Sequence, residues 1–295
     1  MIKDSLNAFA DSARSTFRGW RGLLLLAALY LVVLACPYFF FSAGVANTWQ
    51  LAVSAVTALA PLPLFILLAA TAHFALPEPK TVGALARRAL RDFLKVFLLA
   101  LPVAALGWLF FYLLGKLHER LPKVAEEAPR VFNAATGELR PAPLHWQEAL
   151  MSCLWILLFG VVLPLLAAHL WLGVARAGLW QTVKRIHRVA GRAFLPRAVL
   201  VYATGLFVFA FVPYFVLYTR TAVSNGWGEL FMFGLRLAFT FALTLLGWTI
   251  TLGALARVNP GDAHAAEAVA PEAPPAEAPP VGELPAPPST VAEEV

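Results

Sequence analysis

The chain has 295 residues, of which 60% are hydrophobic and 14% are charged, and its formal net charge is +6. Its mean hydropathy is +0.72. Soluble domains are about 45–50% apolar and about 25% charged, so a water-soluble fold could not cover this much apolar surface. The two cysteines exclude a disulfide framework and a four-cysteine metal site. This composition predicts an integral membrane protein.

Six stretches of about 20 residues or more contain few or no charges, which is the length needed to cross roughly 30 Å of hydrocarbon. Each stretch is continuously apolar, whereas the strands of a membrane barrel alternate apolar and polar residues. The sequence therefore predicts an all-α, polytopic membrane protein with six transmembrane helices. The predicted spans cover residues 23–42, 49–76, 96–114, 149–174, 199–218 and 230–256.

Lysine and arginine are distributed unequally between the two sides of these spans. Sixteen of them lie on the side of the N-terminus and six on the other side. Because positively charged loops stay in the cytoplasm, the excess predicts that the N-terminus and the C-terminus are both cytoplasmic. We expect a multi-pass protein of a cell membrane, in particular a bacterial cytoplasmic membrane.

Two basic segments outside the spans resemble each other. Residues 81–94 and 182–195 are identical at seven of fourteen positions, at an offset of 101, and Pro63 and Pro164 have the same offset. Residues 5–18 align with 81–94 at an offset of 76, with four identities. The pattern predicts a membrane domain, 1–257, built from three repeats at about 1–76, 77–176 and 177–257, each a basic segment followed by a membrane hairpin. Chance similarity among segments rich in Ala and Leu is the alternative.

The basic segments have the 3.6-residue periodicity of amphipathic helices. In the second segment, one face carries Val82, Leu85, Ala86, Ala89, Phe93 and Leu94, and the other carries Arg87, Arg88, Arg91, Asp92 and Lys95. This patterning predicts a helix in the membrane interface, with apolar residues among acyl chains and cations near phosphates. An ordinary positively charged connector is the alternative. The candidate lipid-contacting residues are Arg14, Arg18, Arg87, Arg88, Arg91, Lys184, Arg185, Arg188 and Arg192.

The composition changes abruptly after Arg257. Among the last thirty-six residues, nine are Pro, seven are acidic and none is Lys or Arg. A segment of this kind cannot bury enough apolar surface to offset the entropy lost on ordering. We therefore predict a disordered cytoplasmic tail, rich in Pro, Ala and Glu, over 258–295. The tail is either merely solvated or a binding segment for a protein partner.

Motifs that carry catalytic chemistry are not recognisable in the sequence. His118 and Glu119 begin like a zinc-binding helix, but Pro122 occupies the place of the second histidine. A nucleophile elbow, a phosphate-binding loop and a dinucleotide-binding glycine pattern are also lacking. A non-enzymatic protein is favoured, with no cofactor, no metal site and no nucleic-acid partner expected.

Three ionisable residues fall within the predicted spans, where such groups are costly and often functional. They are His73, His169 and Arg236. Arg236 is interpreted either as a residue that binds an anion or a lipid headgroup, or as one that extends towards the surface or pairs with Glu229 or Glu148. The histidines are expected to make hydrogen bonds between helices, with a proton relay as the alternative.

The basic segments 81–95 and 182–197, with the spans that follow them, carry a family resemblance over about residues 1–257. The arrangement resembles a group of uncharacterised bacterial six-span membrane proteins, which includes the membrane domain fused to some glycerophosphodiester phosphodiesterases. The resemblance implies the six-span architecture. The motifs of the phosphodiesterase domain are not recognisable, so that activity is not implied.

These observations favour a scaffold or accessory subunit that contacts anionic membrane lipid through its basic helices. The main alternative is a transporter or channel for a small anionic or lipid-like solute, using a bundle kinked by prolines together with Arg236. A third alternative is a membrane-embedded lipid-modifying enzyme, which would need polar residues clustered around one cavity.

Overall fold

Helices make up almost all of the structure, a computed structural model that describes residues 2–43, 47–76, 81–120, 132–133, 138–139, 146–219 and 225–258. Six helical stretches are long and apolar enough to cross a membrane: Trp20–Ser42, Thr48–Ala75, Val82–Arg120, Trp146–Lys184, Pro196–Tyr218 and Gly226–Val258. The prediction of an all-α polytopic membrane protein with six spans is therefore confirmed. The predicted tail lies outside the described residues from position 259 onward.

The first half of the chain contains a basic helix, a first hairpin and a long third span. These are α1 (Ile2–Arg18), α2 (Trp20–Ser42), α3 (Thr48–Thr57), α4 (Pro61–Ala75) and α5 (Val82–Arg120). Two short strands, β1 (Phe132–Asn133) and β2 (Glu138–Leu139), form an antiparallel pair in the connection that follows.

The second half contains the last three spans, of which the fourth and the fifth are each interrupted once by a π-helical segment. The elements are α6 (Trp146–Trp155), a π-helical segment Ile156–Val162, α7 (Leu163–Lys184), α8 (Ile186–Ala193), α9 (Pro196–Leu206), a second π-helical segment Phe207–Phe211, α10 (Val212–Tyr218) and α11 (Gly226–Val258).

Proline explains where the spans are interrupted. Both π-helical segments end just before a helix whose second residue is proline, Pro164 in α7 and Pro213 in α10. A proline has no N–H group, and its ring crowds the carbonyl four residues earlier. For Pro164 that carbonyl belongs to Gly160, and it accepts a hydrogen bond from the Tyr202 hydroxyl at 2.8 Å. The Tyr202 side chain, on α9, thus supplies the donor that Pro164 lacks.

The second basic segment is not a separate helix, contrary to the sequence prediction. Residues 82–95 continue into the third span without a break, and α5 runs for 39 residues. The segment contains no glycine or proline between Ala84 and Leu101, so nothing in the local chain ends the helix there. The Lys and Arg residues of this segment therefore lie on an N-terminal extension of the third span.

The buried core lies towards the end of the bundle that carries the basic helices. The buried residues of α4 fall between Leu67 and Ala75, and those of α11 between Leu245 and Ala256. At the opposite end the helices expose large apolar side chains, including Phe41, Trp49 and Trp227. These side chains lie on helices that are long and apolar enough to cross the hydrocarbon layer. We therefore expect lipid to cover them.

Each hairpin ends against a basic helix of the following unit. The end of α4 packs on the start of α5, α7 packs on α8, and α11 packs back on α1. The three contacts therefore form a closed ring at one end of the bundle. The contacts join the predicted repeats in their order along the chain. That the three units are repeats of one another stays a prediction.

Candidate functional site

Helix α1 has three faces rather than the two that the sequence predicted. Ser5, Ala8, Ser12 and Thr16 recur every three or four residues and are buried. This face packs on α11, and the Ser12 hydroxyl donates a hydrogen bond to the carbonyl of Ile250 at 2.8 Å. Small residues at this spacing allow two helices to approach closely.

The other two faces of α1 are open to the surroundings. Leu6 and Phe17 are 56% and 59% exposed, and they form an apolar strip. Beside this strip, Arg14 and Arg18 are exposed as well. An exposed apolar strip next to an exposed basic strip is the pattern of a helix that lies at a lipid headgroup boundary.

The basic part of α5 also has three faces, which corrects two of the predictions. Leu85 and Ala89, predicted to face lipid, are buried in the bundle, whereas Leu90 and Leu94 are exposed. Asp92, predicted on the charged face, is buried as well. The reason is that the bundle takes one face of the helix, so the apolar residues divide between protein contact and outward exposure.

The remaining basic segment, around α8, is mostly exposed. Thr182 and Ala193 are buried, while the apolar side chains of Val183, Ile186 and Phe194 are exposed. Of the nine candidate lipid-contacting cations, seven are exposed and two, Arg88 and Arg192, are half-buried. All nine belong to the three basic segments, at the end of the bundle where the three contacts form the ring.

A buried carboxylate connects α4 to α5. The Nε2 atom of His73 lies 2.9 Å from Oδ2 of Asp92, and the side chains are only 3% and 5% exposed. Lys95 donates to Oδ1 of the same carboxylate, and Arg91 contacts it at 3.4 Å. The two helices are thus joined by a hydrogen-bonded ionic cluster of these four residues.

The buried position of Asp92 was not predicted from the sequence, although its seven-residue spacing from Leu85 and Leu99 places all three on one helical face.

The second predicted histidine has a different environment. His169 is buried, and its Nδ1 atom lies 2.9 Å from the carbonyl of Leu165 within the same helix. This bond is not the interhelical one that was predicted. His169 and His73 lie in the core of the bundle, and neither lines the cavity described below.

Arg236 is half-buried on α11, and it does not pair with Glu229 or Glu148 in the structure. Its Nη2 atom is fully buried, and no described residue accepts a hydrogen bond from it. The same holds for the hydroxyl of Thr240, one helical turn away. Of the interpretations that the sequence left open for Arg236, pairing with Glu229 or Glu148 is thus not seen among the described residues.

A cavity of about 280 Å³ lies between α2, α4, α9 and α11. Its walls include Tyr30, Leu67, Phe209 and Trp248, and its lining surface is almost wholly apolar. No group of three or more His, Cys, Asp or Glu residues suited to a metal ion occurs in the described part of the chain.

Comparisons with known proteins returned no family model, no curated protein and no solved structure that matches this chain. The resemblance to six-span membrane domains therefore stays a prediction from the sequence.

Proposed function

We propose that this protein is a non-enzymatic scaffold or accessory subunit that contacts anionic lipid through its basic helices. The observation that carries the proposal is the three-faced character of α1 and α5. One face is buried in the bundle, one exposes apolar side chains and one exposes cations, as in Leu6, Phe17 and Arg14 of α1. Such a helix holds its cations at headgroup level while its apolar strip enters the acyl region.

The proposal includes a membrane and an orientation. The excess of cations at the end of the bundle that carries the basic segments supports a cytoplasmic location for that end, in a bacterial cytoplasmic membrane. Anionic lipids in the facing leaflet would then attract each exposed cation by roughly 1 kcal/mol.

The test compares two pairs of cations at opposite ends of the bundle. Arg14→Gln/Arg87→Gln removes two exposed charges from the basic helices, and Lys116→Gln/Arg120→Gln removes two from the far end of α5. Native mass spectrometry of the full chain would measure the retention of phosphatidylglycerol against phosphatidylcholine. We expect the first pair to weaken phosphatidylglycerol binding by about 2 kcal/mol, or roughly 30-fold, and the second pair to change it little. Equal effects of the two pairs would contradict the proposal.

A protein partner for the acidic tail is a second part of the proposal. It rests on the seven acidic residues and the absence of Lys and Arg in the last thirty-six positions. Pull-down in mild detergent with and without residues 259–295 tests it: a partner that is lost together with the tail supports the proposal, and identical co-purifying proteins contradict it.

The alternative function, a transporter or channel for a small anionic or lipid-like solute, is favoured by one observation. The buried Nη2 atom of Arg236 has no acceptor among the described residues. Uptake of radiolabelled phosphate into proteoliposomes would test it. Saturable uptake that is lost in Arg236→Ala and retained in Arg236→Lys would favour transport, whereas flux equal to that of empty vesicles would favour the scaffold.

A further inference from the structure

The cavity described above is suited to an apolar occupant. Two hydroxyls along its walls are already hydrogen-bonded: the Tyr202 hydroxyl donates to the carbonyl of Gly160, and the Thr244 hydroxyl donates to the carbonyl of Thr240, both at 2.8 Å. Cavities whose walls offer few free polar groups do not hold water well and accept apolar groups instead.

A cationic group lies above this cavity on the same face of α11. Arg236, Thr240 and Thr244 follow one another at intervals of four residues, and Thr244 lines the cavity. Residues four apart on a helix are neighbours on one face. The Arg236 Nη2 atom and the Thr240 hydroxyl are both buried, and neither has a partner among the described residues.

Leaving such donors unsatisfied is costly. A buried polar group without a hydrogen bond destabilises the folded protein, and a buried charged group does so more strongly. Both atoms are enclosed by the protein, so an anionic oxygen that accepts from them must displace neighbouring side chains. Arg side chains are common donors to phosphate.

The depth of Arg236 agrees with the position of a lipid headgroup. Arg236 and Arg257 are 21 positions apart on one continuous helix. At 1.5 Å per residue this separation is roughly 31 Å, close to the thickness of the hydrocarbon layer of about 30 Å. With Arg257 at one boundary, Arg236 lies near the other.

We propose that this face of α11 and the cavity together bind one anionic phospholipid of the leaflet opposite the basic helices. The phosphate accepts hydrogen bonds from Arg236 and Thr240, and one acyl chain extends into the cavity beside Tyr30, Phe209 and Trp248. The site is independent of the proposed function, which concerns cations at the other end of the bundle.

The test uses phosphatidylglycerol with a photoreactive diazirine on one acyl chain, added to the full-length protein in phosphatidylcholine nanodiscs. Cross-linked residues are then identified by mass spectrometry. We expect cross-links on the cavity residues Leu206 and Ala210. Arg236→Gln should reduce them at least fivefold, and Arg236→Lys should retain at least half of them.

Matched variants separate the acyl chain from the headgroup. Ala210→Phe fills the cavity and should abolish the cross-links to Leu206, whereas Ala203→Phe, at an exposed position of α9 outside the cavity, should leave them unchanged. The variant Arg14→Gln/Arg87→Gln should also leave them unchanged, which separates this site from the basic helices.

Three results would overturn the proposal. The first is equal cross-linking by a phosphatidylcholine probe, because the charge of the headgroup would then be irrelevant. The second is competition by millimolar inorganic phosphate, which would indicate a site for free anions. The third is unchanged cross-linking in Arg236→Gln. Circular dichroism and monodisperse elution establish that each variant is folded, and the Arg236→Lys arm stands if Arg236→Gln fails to fold.

Discussion

The carboxylate of Asp92 has a hydrogen-bond partner on each of its two oxygens. It is buried between α4 and α5, with His73 on one oxygen and Lys95 on the other. A buried charge is tolerated only when it is paired and hydrogen-bonded. Its role is therefore to fix how the first hairpin meets the third span. The sequence identified His73 as a hydrogen-bonding residue, but its partner lies 19 positions away and becomes visible only when the helices pack.

Asp92→Ala is expected to lower the free energy of unfolding in detergent by about 3–5 kcal/mol, because His73 and the neighbouring cations lose their shared acceptor. Thermal unfolding followed by circular dichroism measures the change. The control is Asp11→Ala, which removes an exposed carboxylate that only approaches Arg14 at 3.9 Å; it should cost less than about 1 kcal/mol. Equal losses in the two variants would show that the burial of Asp92 is unimportant.

Among the elements, the bend inside α7 depends on one backbone conformation. Gly178 has φ 78° and ψ 170°, a region essentially open only to glycine, and it is the only described residue with a positive φ. There the chain leaves the axis of the fourth span and enters the exposed basic segment. The sequence predicted that segment from its periodicity, but it did not indicate which residue makes the bend.

Gly178→Ala is expected to destabilise the protein by about 1–3 kcal/mol, because alanine is strained at this φ and ψ although the space beside it is open. Gly191→Ala is the matched control in α8, where an added Cβ also meets nothing within 4 Å and φ is not positive. Alanine in that helix should stabilise by about 0.5–1 kcal/mol. Melting temperatures that shift in opposite directions would support the assignment, and a common direction would refute it.

At the scale of the whole molecule, the contact between α1 and α11 closes the ring of hairpins. It joins residues 238 positions apart through the bond from Ser12 to Ile250. Arg176 of α7 also donates to the carbonyl of Ala256 near the end of α11, where a cation stabilises the exposed helix terminus. The C-terminal end of the last span is therefore held by both α1 and α7.

Gly253→Ala is expected to weaken this closure, because the new Cβ would overlap the Ser12 hydroxyl and displace its bond to Ile250. The expected loss is about 1–3 kcal/mol. Ser12→Ala removes the overlapping oxygen, so the double variant should be about as stable as Ser12→Ala alone. Gly234→Ala, in open space on the same helix, is the control and should stabilise by about 0.5–1 kcal/mol, as at Gly191. Additive losses in the double variant would contradict this account of the contact.

The sequence by itself determined the membrane class, the six spans and the basic helices, because continuous hydrophobicity and 3.6-residue periodicity are local properties of the chain. The tertiary structure alone decided which face of each basic helix is buried, how Asp92 meets His73, and that Arg236 lies above an apolar cavity. These features depend on contacts between helices far apart in the sequence. The buried face formed by Ser5, Ala8, Ser12 and Thr16 was not predicted from the sequence, because small and polar residues do not stand out as a hydrophobic stripe; the packing of α11 against α1 identifies it.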